Sequence, residues 1–90
     1  MSERWTIRYK PAARRALAEE LPETVAAAAY GLITGALADN PHRVGKPLNE
    51  PYEGLHSVRR GTYRILYHID PGKHLVEIHS IRHRRDAYRS

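Results

Sequence analysis

The sequence predicts an α+β domain in which two N-terminal helices pack on one face of a small, mostly antiparallel four-stranded sheet, in the order β-α-α-β-β-β. Three observations predict it. Residues 5–9 alternate apolar with polar side chains, residues 12–38 carry apolar side chains at helical spacing, and beyond Gly54 the strand period returns. Helices grouped together, followed by a run of strands, place the helices on one sheet face and leave the other open. Residues 1–90 make one domain, because two halves of a ninety-residue chain would each lack an adequate core.

Each element follows from its residues. Trp5, Ile7 and Tyr9 alternate with Thr6, Arg8 and Lys10 to give the first strand. Pro11 ends it and suits the first position of a helix, over which Ala13, Ala16, Leu17 and Leu21 share a face until Pro22. The second helix runs from Glu23 to Ala38, with Val25, Ala29, Leu32, Ile33, Ala36 and Leu37 inward. Gly31 and Gly35 each cost about 1 kcal/mol relative to Ala, so with Ala27 and Ala38 they are expected to form a strip that a helix or the sheet approaches closely. Asp39-Asn40-Pro41 stops the helix, and His42–Glu53 reads as an ordered loop. Leu55–Arg60 and Thr62–Asp70 are strands joined by a tight turn at Gly61-Thr62, with Tyr63, Ile65, Tyr67 and Ile69 facing the core and Arg64, Leu66 and His68 the other way. In Asp70-Pro71-Gly72-Lys73, Pro presets one dihedral and Gly is expected to take the positive one. His74–Ile81 is the last strand, and the polar segment from Arg82 to Ser90 follows it.

Charge narrows the function. Fifteen Lys and Arg against ten Asp and Glu give +5, and all of the excess lies beyond residue 42. A basic half on a small domain fits a polyanion, with nucleic acid ahead of a membrane surface because no basic amphipathic helix accompanies it. No apolar run reaches the roughly 18–20 residues of a membrane span, and Met1-Ser2-Glu3-Arg4-Trp5 lacks a secretion-signal pattern. Zero cysteines exclude a disulfide framework and a thiolate metal site, and they suit a cytoplasmic protein. His79 and His83 are four apart, but no Cys or acidic cluster completes a metal site, so no cofactor is expected.

What remains is an arginine-rich set with His and Tyr: Arg59, Arg60, Arg64, Arg82, His83, Arg84, Arg85, Tyr88 and Arg89. Metal-free RNA cleavage asks for that combination. The 2′-hydroxyl is the nucleophile, arginines stabilise the charged phosphorane, and a base and an acid move the protons. Arginine serves only the middle task, since it never deprotonates. His83 is suited to proton transfer by its reference pKa near 6.5, and Tyr88 by the arginines that favour its phenolate. Two readings of Arg64 stay open, an ion pair with Glu77 on the neighbouring strand or a phosphate contact. The terminal arginines read as a solvated tail or as a binding segment. Tyr63 and Tyr67 read as core aromatics with wet hydroxyls, and His42, His56, His68 and His74 as surface or satisfied groups.

The stretch Arg43-Val-Gly-Lys-Pro-Leu48, the block Gly54-Leu-His-Ser-Val-Arg-Arg-Gly-Thr-Tyr-Arg-Ile-Leu-Tyr-His-Ile-Asp70 and the closing Ile81-Arg-His-Arg-Arg-Asp-Ala-Tyr-Arg89 together resemble the RelE family of toxins from bacterial toxin–antitoxin pairs. The resemblance implies a fold related to microbial ribonucleases and a metal-free endoribonuclease that cleaves mRNA in the ribosomal A site, amid rRNA, and so arrests translation and growth. It implies a RelB-like antitoxin partner, with DNA reached only through that complex. Residue by residue, it puts Arg64 and Arg82 at the family's phosphate-stabilising arginines and Tyr88 at its near-terminal tyrosine. Lys46, Arg59, Arg60, Arg84, Arg85 and Arg89 would contact RNA. Where the best-studied form carries two lysines, this chain has Leu55 and Ser57, which puts His83 forward for proton transfer beside Tyr88. The alternative within the superfamily is a ParE-like toxin that inhibits gyrase without nuclease activity.

Overall fold

The computed structural model describes residues 4–83. Tyr88, Arg84, Arg85 and Arg89 lie outside the described residues. Strand β1 spans Thr6–Tyr9, and Pro11 at the first helical position opens α1, Pro11–Arg15, which runs on through a π-helical turn at Ala16–Glu20. Leu21 N–H closes that turn on the Ala16 carbonyl at 2.9 Å, and Leu21 is extended (φ −80°, ψ 145°), as a residue before proline must be. Helix α2, Glu23–Leu32, continues through a second π-helical turn, Ile33–Leu37. Its inward face is Ala29, Ile33 and Leu37, while Ala36, expected inside, is exposed.

The strip of small residues behaves differently from its expectation. A Cβ built on Gly31 or Gly35 would meet nothing within 4 Å, and Ala27 is exposed. Neither the sheet nor another helix approaches these glycines. The N-terminal strand is instead fastened to the end of this helix by Arg4, whose guanidinium pairs with Asp39 at 2.5 Å and donates to the Thr34 and Gly35 carbonyls.

The segment expected to be loop carries structure of its own: a helical turn α3, Pro41–Val44, and a short strand β2, Lys46–Pro47. The sheet is therefore five-stranded, not four-stranded, in the order β1-β5-β4-β3-β2. Gly45 permits this edge, since a Cβ there would collide with the Tyr67 hydroxyl and lie 2.8 Å from the Ser57 carbonyl. Pro47 cannot donate to a ladder and sits on the outermost strand, where that loss is harmless. Strands β3 (His56–Arg60), β4 (Tyr63–Asp70) and β5 (Leu75–His83) form an antiparallel meander, and β1 joins β5 in parallel.

Gly61, at φ +55°, makes the tight β3–β4 turn. In the β4–β5 turn the positive dihedral falls on His74 (φ 53°) rather than on Gly72. The His74 ring stacks on Trp5 with centroids 4.1 Å apart, a contact that holds this residue in the left-handed region.

Helices and sheet enclose one core: Ala13, Ala16, Leu21, Ala29, Ile33 and Leu37 against Val58, Tyr63, Ile65, Tyr67, Ile69, Val76, Ile78 and Ile81. The Tyr67 hydroxyl is not wet; it donates to the buried Pro41 carbonyl at 2.6 Å, tying α3 to β4. Among the described residues, no helix is long and apolar enough to cross a membrane.

Candidate functional site

The sheet face turned away from the helices is organised by register. Directly paired residues share a face. Arg59 pairs with Arg64 and Arg64 with Arg82, so three exposed arginines stand in one row across β3, β4 and β5. Opposed Cβ atoms in such ladders are about 4.5–5.5 Å apart, and like charges placed there are destabilising. Among the described residues no carboxylate forms an ion pair with any of the three. Glu77, the expected partner of Arg64, lies opposite His68 and beside Arg8 instead. A row of like charges with no ion pair among the described residues lowers stability, and conflicts of this kind are what functional sites are expected to show.

The next row is Lys46, Ser57, Leu66 and Ser80. Lys46 extends the positive surface toward the sheet edge and is exposed. Leu66 is only 8% exposed although it lies outside the main core cluster. The Ser80 Oγ is buried without a hydrogen-bond partner among the described residues, a condition that costs about 1–3 kcal/mol.

One irregularity creates this alignment. The pairing of β4 with β5 shifts between Leu66 and Tyr67: Tyr67 faces Ile78, Leu66 faces Ser80, and His79 is the extra residue of a β-bulge. Up to Ile78 the buried positions of β5 are even-numbered, Val76 and Ile78; after the bulge the buried position is Ile81. Without that change of phase Arg82 would face the core. Sequence reasoning missed the bulge, although the shift from even to odd apolar positions was readable.

The other sequence-derived residues do not join the row. Arg60, Tyr63 and His83 pair with one another, which by alternation puts all three on the helix side at the end of the sheet. Burial raises the Tyr63 phenol pKa while Arg60 pulls it the other way, consistent with their proximity. His83 belongs to β5 rather than to the terminal segment. Among the described residues no group of three or more His, Cys, Asp or Glu is arranged to hold a metal.

A second cluster lies on the helix side, where β3 and β4 meet α3. His56 stacks on Tyr67 at 5.5 Å, and His42 stands edge-on to both His56 and Trp5. The His56 Nδ1 is buried with no partner among the described residues, so this histidine is not the satisfied group expected. Burial lowers its pKa, and His42 and His68 add to the shift. Burial pushes the Tyr67 phenol up to about 12, with the Gly45 amide opposing.

Comparison with known proteins fits this arrangement. Residues 4–88 match the family model described as ParE toxin of the type II toxin–antitoxin system parDE. The chain belongs to the RelE/ParE family of toxins. The toxin is 54% identical to Toxin RelE of Mycobacterium tuberculosis over 71 residues, covering 79% of this chain and 73% of that one. It is 45% identical to Toxin RelG of the same organism over 85 residues, covering 94% and 97%. The crystal structure of the M. tuberculosis toxin–antitoxin complex RelBE2 superposes on the toxin with a TM-score of 0.87 at 42% identity, covering 93% of this chain and 95% of that chain. The toxin is accordingly of the RelE type.

Proposed function

We propose that the toxin is a metal-independent endoribonuclease that cleaves mRNA on the ribosome by attack of a 2′-hydroxyl on the adjacent phosphate. The observation that carries the reading is the row Arg59, Arg64 and Arg82, three exposed arginines on one sheet face with no carboxylate partner among the described residues. Arg64 and Arg82 hold the scissile phosphate and stabilise the phosphorane, for which their planar forks are suited. Arg59 and Lys46 hold flanking phosphates, with Arg84, Arg85 and Arg89 completing the contact. Tyr88 takes the proton of the attacking hydroxyl, and the leaving oxygen takes a proton from solvent, because the register sets His83 on the face opposite the row. The reaction yields a 2′,3′-cyclic phosphate and a 5′-hydroxyl and needs no cofactor. Growth arrest follows from loss of translated mRNA in the cytoplasm.

The partner that silences it is a RelB-like antitoxin, a reading supported by the toxin–antitoxin complex to which the fold is similar. Its acidic or amphipathic segment covers the arginine face, so antitoxin binding and mRNA cleavage exclude each other. The test is induced expression with mapping of mRNA 5′ ends, comparing the native chain with Arg64→Ala. Cuts within translated frames that vanish in the variant support the reading, and growth arrest without cuts removes it.

The second reading, a gyrase-inhibiting toxin, is favoured by the ParE description of the matching family. Induction of a DNA-damage response with intact mRNA selects it.

A further inference from the structure

We infer that Ser80 is a substrate-binding residue of the arginine face, its hydroxyl donating to one oxygen of the phosphate that Arg64 and Arg82 hold. The inference rests on the nuclease reading and adds to it a group that charge alone does not reveal. Ser80 lies opposite Leu66, one same-face row from the Arg64–Arg82 pair and two residues, about 7 Å, from Arg82 along its own strand. An arginine side chain spans that distance, so one phosphate reaches both groups.

The second observation is independent of charge. The Ser80 Oγ is one of two buried side-chain polar atoms without a partner among the described residues. Native proteins pair the large majority of such atoms, and an orphan calls for an explanation. Alanine would fill the same space without the penalty. A phosphate supplies the missing acceptor once the hydroxyl is uncovered.

The third observation is its position. Ser80 directly follows the bulged His79, where the ladder is interrupted and the strand twists more sharply. Such bulges re-aim side chains beside active sites. A neutral donor also suits the place chemically, since a fourth cation in this row would only add repulsion. A serine hydroxyl is far too weak an acid to move the proton here, so its task is orientation of the phosphate for in-line attack.

The test measures single-turnover cleavage of a defined mRNA on programmed ribosomes, with the full chain in excess, together with thermal unfolding of each variant. Ser80→Ala is expected to unfold at the same or a higher temperature, while its maximal cleavage rate falls roughly ten- to hundredfold. Half-saturation changes less than threefold, because the ribosome dominates affinity. Ser80→Thr, which keeps the hydroxyl and suits a strand, recovers most of the rate. A Ser80→Ala rate within twofold of native, or a lost rate accompanied by a markedly lower unfolding temperature, overturns the inference. Native cleavage that is lost in Arg64→Ala but intact in Ser80→Ala removes this inference alone. A native chain that cleaves nothing removes the nuclease reading and this inference with it.

Discussion

Arg64 and Arg82 face each other directly across β4 and β5, with Arg59 completing the row on the far side of Arg64. Folding gains nothing from this opposition, since like charges placed directly opposite in a ladder are destabilising. Arg64→Ala is therefore expected to keep or slightly raise the unfolding temperature. Its single-turnover cleavage on programmed ribosomes falls about 10²–10³-fold, the usual cost of one preorganised charge-stabilising donor. Arg60→Ala removes a charge of the same kind on the opposite face and stays within about fivefold of native. Equal losses from the two substitutions would mean that net charge, not the row, governs activity.

Gly45 tests the other side of the sheet. Its backbone (φ −114°, ψ −177°) is open to any residue, so the constraint is space. A Cβ would collide with the Tyr67 hydroxyl and crowd the Ser57 carbonyl at 2.8 Å. Gly45→Ala should destabilise by about 1–3 kcal/mol, as overpacked cores do, measured by denaturant unfolding. Tyr67→Phe removes the colliding oxygen, so the double variant should lose less than the sum of the two single losses.

The acid response should come from His56. Burial, then positive charge on His42 and His68, lowers its pKa below 6.5. The unfolded chain binds that proton at a higher pH than the folded one, so stability is fully present above about pH 6.5 and is lost as pH falls through the lowered value. His56→Phe keeps the stack on Tyr67 and removes the titrating group. Thermal unfolding between pH 7.5 and 5 should therefore show a shallower decline for His56→Phe than for the native chain. Parallel declines would assign the acid response to other groups.

The strands and helices were legible because each carries its own period: Trp5-Ile7-Tyr9 alternates, and Ala29, Ile33 and Leu37 recur by four. The Lys46–Pro47 strand was not, since two residues carry no period and their pairing depends on the missing side chain of Gly45. Arg64 was readable as outward-facing from alternation along a single strand. Its alignment with Arg59 and Arg82 was not, because a row across three strands depends on turn lengths and on the bulge. Gly31 and Gly35 misled for a related reason: their cost is visible in the sequence, but whether another element approaches them is decided by tertiary packing.

The bulge itself can be tested by deletion. His79 is unpaired in the ladder, and without it Tyr67–Ile78 and Leu66–Ser80 become consecutive regular pairs. Every other side chain of β5 keeps its face, with Ile81 inward and Arg82 opposite Arg64. Deleting His79 should therefore leave a folded chain whose unfolding temperature lies within a few degrees of native. Deleting Glu77 should not be tolerated, because it reverses the facing of Leu75 and Val76 relative to Ile78 and carries Val76, which is fully buried, out of the core. If the arginine row alone determines activity, the His79 deletion cleaves like the native chain. If the extra twist sets the angle between the Arg64–Arg82 pair and Ser80, it folds but loses at least tenfold in single-turnover rate, and this is the outcome expected. Circular dichroism with thermal unfolding reports the first half of the prediction, and cleavage on programmed ribosomes the second.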